Sequence, residues 1–279
     1  MKKQFLSVSL VMYCNDIDEL STAINSALKS SLVGKVYLID NSPTDSLKIL
    51  KELDLDRIVY LFQNNNLGFG RAHNIGIKLS EDSGYKYHLI LNPDIEFESG
   101  VLEKLYTYME SNYNCGIVMP KVLSQNGELQ YLCKKIPSVF EIVCRRLPIK
   151  SLRLFINNKL ELRNFNYNQI LNVPYLSGCF MFCRTSCFKK TGLFDDRYFM
   201  YMEDLDLSRT FHKYYETIYN PVVEILHGYR SESRVNMKLF KDLIISAIKY
   251  YTKYGWFFDR ERKEINKRLF QRISKLNKL

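Results

Sequence analysis

Leu89-Ile90-Leu91-Asn92-Pro93-Asp94 is the stretch from which the rest of the chain is read. The apolar residues suggest a buried strand, Pro93 stops it, and Asp94 is left at its tip. Open α/β sheets bind ligands at their carboxyl edge, where such a carboxylate lies. A hard oxygen ligand there suits a divalent cation, Mg²⁺ or Mn²⁺, bridging phosphates. The same residues also make a plain turn, with Pro93 presetting φ and Asp94 bonding its own backbone. A second acidic cluster, Glu203-Asp204-Leu205-Asp206, stands far downstream.

Working outward, residues 5–13, 35–40, 58–62 and 87–91 read as strands, and 18–30, 44–53 and 72–79 as helices. A Gly/Asn-rich loop fills 64–71. This alternation implies parallel strands with crossover helices. Downstream, 100–111 is helical and 116–120 is strand-like. Residues 124–172 are irregular and basic, and fit an insertion or acceptor-side region. Residues 175–184 form an apolar strand, and 187–191 a short helix stopped by Gly192. Residues 203–214 make a helix that begins in acid, and 222–226 a strand ending at His227. Two amphipathic helices, 238–254 and 260–276, close the chain.

The 279 residues, 46 % hydrophobic and 25 % charged, suffice for one large core or one domain with an appendage, without disulfide staples. Seven scattered cysteines, an odd number, read as reduced thiols of a cytosolic protein. Cys179, Cys183 and Cys187 recur every four residues, but no histidine accompanies them. They read as small buried hydrophobes. The apolar run after Lys2-Lys3 is too short and alternating for a signal peptide, and no apolar stretch is long enough to span a bilayer. Residues 229–279 carry 14 Lys/Arg against 5 Asp/Glu, and residues 133–163 carry 8 against 2, so the rest of the +10 chain is mildly acidic. Such segments attract anionic lipid or nucleic acid, or are simply solvated helix faces.

Polar residues thus stand at four strand or helix ends: Asp40, Asp94, the Glu203–Asp206 cluster and His227. Gly68 and Gly70 form a loop that a ligand can approach closely, bracketed by Asn66, Arg71 and Asn74. It is neither a Walker loop nor a dinucleotide fingerprint. Seven stretches then occur in order: SLVMY at 9–13, LIDNS at 38–42, NNLGFGRAHNIG at 65–76, LNPD at 91–94, SGCFM at 177–181, GLFD at 192–195 and FMYMEDLDLSR at 199–209. In that ordered set, covering roughly residues 5–230, the chain resembles the family 2 glycosyltransferases, and within them the bacterial rhamnosyltransferase-like branch. The last fifty or so residues match nothing in the family.

The resemblance implies an α/β fold. Residues 1–230 would be a GT-A-type, Rossmann-like nucleotide-binding domain with a central, mostly parallel sheet, and 231–279 a C-terminal helical appendage. It assigns Asp40 to base recognition, Asn66 and Gly68 to the nucleoside, and Asp94 to a divalent cation. Arg71 and Asn74 flank the donor loop. Asn92 stands where the family's usual Asp-x-Asp has its first acid, so Asp94 becomes the principal anionic ligand. His227 is a second ligand or a core-edge histidine. His73, His88 and His212 lack such a placement and read as structural or exposed. The reaction implied is an inverting transfer in which an acceptor hydroxyl displaces a nucleoside diphosphate. Asp204 is the general base, supported by Glu203. Asp206 is structural or acceptor-orienting, and Arg209 pairs with an acid or meets phosphate.

The implied donor is dTDP-rhamnose first and a UDP-hexose next. The acceptor is a lipid-linked glycan or polysaccharide in cell-surface polysaccharide synthesis. The expected location is the inner face of the cell membrane, reached through the basic C-terminal helices. There, 239–251 docks on the protein while Trp256, Phe257, Phe258 and the last helix meet anionic lipid. Truncation after Gly255 should then separate membrane binding from turnover. A nucleotidyltransferase is disfavoured because Tyr13-Cys14-Asn15-Asp16 stands where its glycine-rich loop would be. A nucleic-acid-binding role for the tail is opposed by the acidic remainder and the lack of a recognisable module. The sequence sets no oligomeric state.

Overall fold

A computed structural model describes residues 5–228 and 237–277. Its first half runs Leu6–Met12 (β1), Ile17–Leu28 (α1), Val33–Asp40 (β2), a 3₁₀ turn at Ser46–Leu53, Ile58–Phe62 (β3), Phe69–Asp82 (α2), Tyr87–Leu91 (β4), Ile95–Glu96 (β5) and Val101–Ser111 (α3). Then come Cys115–Leu123 (β6), Cys133–Lys134 (β7), Val139–Cys144 (α4), Lys150–Leu160 (α5), Leu171–Asn172 (β8), Tyr175–Leu176 (β9) and Phe180–Arg184 (β10). Phe188–Thr191 (α6), Glu203–Tyr214 (α7), Glu216–His227 (β11), Met237–Tyr254 (α8) and Arg260–Leu276 (α9) complete the described chain. The expected boundary between residues 230 and 231 lies outside the described residues.

One sheet has the order β3-β2-β1-β4-β10-β6-β11-β5, with β8 also on β11; β7 and β9 pair separately. Strands β3, β2, β1 and β4 are parallel, and β6 is parallel to β11. Strand β10 runs antiparallel to both β4 and β6, so β6 and β11 share the direction of β4. The mostly parallel sheet therefore stands as the sequence implies. Strand β4 is buried along its whole length, which accounts for its unbroken apolar run. On β1, Leu6, Val8, Leu10 and Met12 enter one core layer. Ser7 and Ser9 point to the other face and bond His88 at Nδ1 and Nε2, both at 2.8 Å, while Ser9 also bonds His73 Nδ1 at 2.7 Å. Both histidines are fully buried, and burial holds them well below the ordinary imidazole range. They are neutral pins between α2 and the sheet, in keeping with a structural reading. Gly76 is required there: a Cβ on it would lie 2.6 Å from Ser9 Cβ.

Several elements differ from expectation. Helix α2 begins three residues before residue 72, because Gly68 at φ 80° turns the chain into it. The expected strand 175–184 is two, β9 and β10, interrupted at Ser177-Gly178-Cys179. Strand β11 begins six residues before 222, with its register shifting between Asn220 and Glu224, around Pro221. All seven cysteines are free thiols, and Cys179, Cys183 and Cys187 are buried.

The last helix, which the sequence reading sends to anionic lipid, also packs on the protein. Its Leu269 and Ile273 are buried with Leu207 and Phe211 of α7. Asn266 clasps the backbone of Ile136, accepting its N–H at 3.0 Å and donating to its carbonyl at 2.9 Å. Arg209 of α7, 2 % exposed, makes a two-pronged ion pair with Asp259, 4 % exposed, at 2.7 and 2.8 Å. Its guanidinium also stacks 3.9 Å from the Tyr254 ring. Arg209 thus pairs with an acid, and that acid lies beyond Gly255. Truncation there would strand a buried cation instead of releasing an independent anchor. Among the described residues, no helix is long and apolar enough to cross a membrane.

Asp259→Ala removes the two-pronged partner of Arg209, leaving it Glu261 and the Tyr250 hydroxyl, and should lower stability by about 1.5–3 kcal/mol. Urea unfolding measures this, and a loss below about 1 kcal/mol would show that the pair is not what holds α9 down.

Candidate active site

The carboxyl ends of β1, β2 and β4 share one edge, and the reversed β10 brings its amino end to the same edge. The Asn92 N–H donates to the Cys179 carbonyl at 2.9 Å, joining the tip of β4 to the start of β10. Beyond Asn92, β5 pairs with the end of β11 in a register that opposes Ile95 to His227. The Gly228 N–H donates to the Asp94 carbonyl at 2.8 Å. Asp94 Oδ2 and His227 Nε2 consequently lie 3.3 Å apart.

Gln130 orients the histidine ring. Its Nε2 donates to the His227 carbonyl at 2.9 Å, so its Oε1 faces His227 Nδ1, at 2.8 Å, and takes that proton. His227 Nε2 thereby faces the Asp94 carboxylate, and their separation is that of adjacent ligands about 2.1 Å from a hard cation, which lie about 3 Å apart. Among the described residues, Asp94 Oδ1 and Asn92 Oδ1 are also buried without a hydrogen-bond partner. The donor set fits a divalent cation. Among the described residues it holds no third His, Cys, Asp or Glu, which leaves the remaining positions to ligand oxygens.

At the other end of the edge, Asp40 is fully buried, and both its oxygens already hold protein hydrogens. The Ser42 N–H donates at 2.9 Å and the Tyr60 hydroxyl at 2.6 Å. Asn66 Oδ1 accepts the Gly68 N–H at 3.0 Å, and Asn41 Nδ2 donates to the Gly68 carbonyl at 3.3 Å, so Asp40, Asn66 and Gly68 form one group. Gly68 is obligatory: at φ 80°, a Cβ would lie 2.1 Å from the Phe199 carbonyl oxygen. Asn74 is a correction. Its amide is committed to Phe194, donating to the carbonyl at 2.9 Å and accepting the N–H at 3.0 Å. It clamps that loop, with Nδ2 also donating to Asp196 at 3.2 Å. Arg71 is exposed, 3.9 Å from Asp196 of the same loop.

The acidic pair opens α7. Tyr201 and Met202, both at φ 68°, turn the chain left-handed just before it, so that Glu203 and Asp204 start the helix at its positive end. Asp204 Oδ2 accepts the Gly178 N–H at 3.2 Å, and the Tyr175 hydroxyl lies 3.3 Å from Oδ1. Glu203 is 6 % exposed, and its Oε2 has no hydrogen-bond partner among the described residues. Burial, then the Asp204 charge, push the Glu203 carboxyl up to about 8. Burial also raises Asp204, and the charge of Lys134 is the largest influence opposing it. Asp206 faces elsewhere, paired with Lys253 at 2.8 Å, and is structural. Sequence reasoning missed Lys134, Tyr175, Gln130 and Tyr60. The alternation on β3, which puts Tyr60 on the face of Asp40, could have found the last; Lys134 and Gln130 carry no local signal.

The model of the family described as Glycosyl transferase family 2 matches residues 9–192. An N-acetylglucosaminyl-diphospho-decaprenol L-rhamnosyltransferase of Mycobacterium tuberculosis is 26 % identical over 205 residues, 69 % of this chain and 66 % of that relative, so the chain spans just under two thirds of its length. The rhamnosyltransferase WbbL of Escherichia coli is 26 % identical over 214 residues, 74 % of this chain and 75 % of WbbL. Among solved structures, GalNAc-T7 with UDP, GalNAc and Mn²⁺ is similar with a TM-score of 0.62 at 14 % identity, over 91 % of this chain and 50 % of that one. That likeness concerns the fold, which is of the GT-A type.

Glu203 binds its proton more tightly folded than unfolded. Its stabilisation is full below its ordinary value of 4.5 and is lost as pH rises toward about 8. Glu203→Gln should flatten that decline, whose slope reaches about 1.4 kcal/mol per pH unit. Urea midpoints across the window measure it, and parallel curves for the two proteins would show that Glu203 titrates normally.

Proposed function

This chain belongs to glycosyl transferase family 2, and from that premise we propose that it is an inverting glycosyltransferase. It would move a sugar from a nucleoside-diphosphate donor to a hydroxyl of a lipid-linked glycan or polysaccharide. The observation that carries this reading is the meeting of two acidic centres on one sheet edge. Asp94 with His227 lies at the tip of β4, and Asp204 is held by the Gly178 N–H, one residue from the Cys179 carbonyl that binds Asn92.

Asp204 is the general base. The Gly178 N–H aims its carboxylate, and Lys134 favours its ionised form. Glu203 behind it, protonated by burial near neutral pH, leaves Asp204 as the single charge of the pair. The Gly68 turn and Asn66 receive the nucleoside, with Asp40 beneath them fixing Tyr60 and Ser42. Asp94, His227 and the Asn92 amide would hold a divalent cation, which when bound neutralises the charge of the departing diphosphate. We propose dTDP-rhamnose as donor, supported by the two relatives that are rhamnosyltransferases, with a UDP-hexose as the second reading. The place of work is the inner face of the cell membrane, in cell-surface polysaccharide synthesis. Exposed Phe257 and Phe258 beside basic α9 support contact with anionic lipid.

Asp204→Asn should lower kcat by about two to four orders of magnitude with donor affinity little changed. Single-turnover transfer and donor titration separate the two, and near-normal turnover would shift the role to Glu203. Asp94→Ala should weaken both donor binding and turnover, and excess EDTA should abolish activity. Full activity in EDTA would overturn the assignment of Asp94 and His227 to a cation.

A further inference from the structure

Residues 142–160 contain five Lys/Arg and no Asp/Glu. They lie in the α4–α5 hairpin, which turns Cys144, Ile156 and Leu160 inward. Its other side is apolar and open to water: Phe140 is 67 % exposed and Phe155 65 %, with Val143, Leu147, Ile149 and Leu154 exposed beside them. An apolar patch of this kind on a single hairpin marks a contact surface. It continues onto α8, where Arg146 sits 5.5 Å over the Phe240 ring and Ile244, Ile245 and Ile248 are exposed. Arg145 is committed to Glu161 at 2.8 Å, while Arg146, Lys150 and Lys159 are exposed.

We propose that the α4–α5 hairpin is the element that enters the interfacial layer of an anionic bilayer. Exposed cations interleaved with large exposed apolar side chains match a lipid surface. The apolar groups enter the acyl boundary while the long basic stems reach back to headgroup phosphates. Helix α9 differs, since its Leu269 and Ile273 are already buried in the protein. The hairpin also follows closely on Lys134, and the charge of Arg145 is felt at both Lys134 and Tyr175, so the lipid face adjoins the residues around Asp204. This inference rests on the membrane location proposed above and gives it a surface through which a lipid-linked hydroxyl reaches the base.

The test is co-sedimentation of the full chain with phosphatidylcholine vesicles, with and without phosphatidylglycerol. Full-length protein should prefer the anionic vesicles and lose binding as salt rises. The triple variant Lys150→Ser, Arg153→Ser, Lys159→Ser should bind about a hundredfold more weakly, at about fivefold per cation. The double variant Leu154→Ser, Phe155→Ser should lose about tenfold or more. Melting temperature and hydrolysis of a soluble sugar nucleotide should stay unchanged in both variants. No binding by the full chain would overturn the membrane location and this inference together. Undiminished binding by both variants, with loss on Phe257→Ser, Phe258→Ser, would keep the location and overturn the hairpin. Conversion of a dimer to a monomer in either variant, with lipid binding intact, would make the patch a contact between copies.

Discussion

The reversal of β10 is the constraint on which the site depends. Placed antiparallel between β4 and β6, it delivers Gly178 and Cys179 to the edge where β4 ends. One hydrogen bond there, from Asn92 to the Cys179 carbonyl, fixes the distance between two parts of the chain that the sequence keeps far apart. The Gly178 N–H then holds Asp204, and a Cβ on Gly178 would lie 3.2 Å from Asp204 Cβ, close enough to push the acid back by a few tenths of an ångström. With a parallel strand in that position, the same residues would lie at the opposite edge.

Electrostatics divides the two carboxylates by surroundings rather than by chemistry. Asp204 has an N–H, a phenol and a nearby ammonium to support its charge. Glu203, next to it, has a buried oxygen with no partner among the described residues, and burial pushes its carboxyl up to about 8. A similar economy shapes the other centre. Gln130 is used twice by His227, once to anchor its backbone and once to orient its ring, so that Nε2 faces Asp94.

Strand β3, strand β4 and helices α7 and α9 were legible to the residue, because long periodic or wholly apolar runs leave little choice. Asp94 could be placed from sequence since a proline stop after a buried strand has one geometric meaning in this fold class. The break at Ser177-Gly178-Cys179 was hidden because both flanks are apolar and share one pattern. Asn74 misled for a different reason: its neighbours in sequence flank the donor loop, but its partner, Phe194, is 120 residues away. The role of α9 was hidden by composition. Its many cations point to anionic lipid or to solvent, whereas two apolar residues and one upstream arginine also tie it to α7.

The bond between Arg209 and Asp259 also sets a timetable. When α7 has left the ribosome, Leu207, Phe211 and Arg209 have neither their apolar cover nor their counter-charge, which arrive with Asp259, Leu269 and Ile273. At about 5–20 residues per second, the roughly sixty residues from the end of α7 to Ile273 take about 3–12 seconds to synthesise. For that interval the nascent chain shows an open hydrophobic seam beside an unpaired cation, and this is when chaperones and proteases would find it.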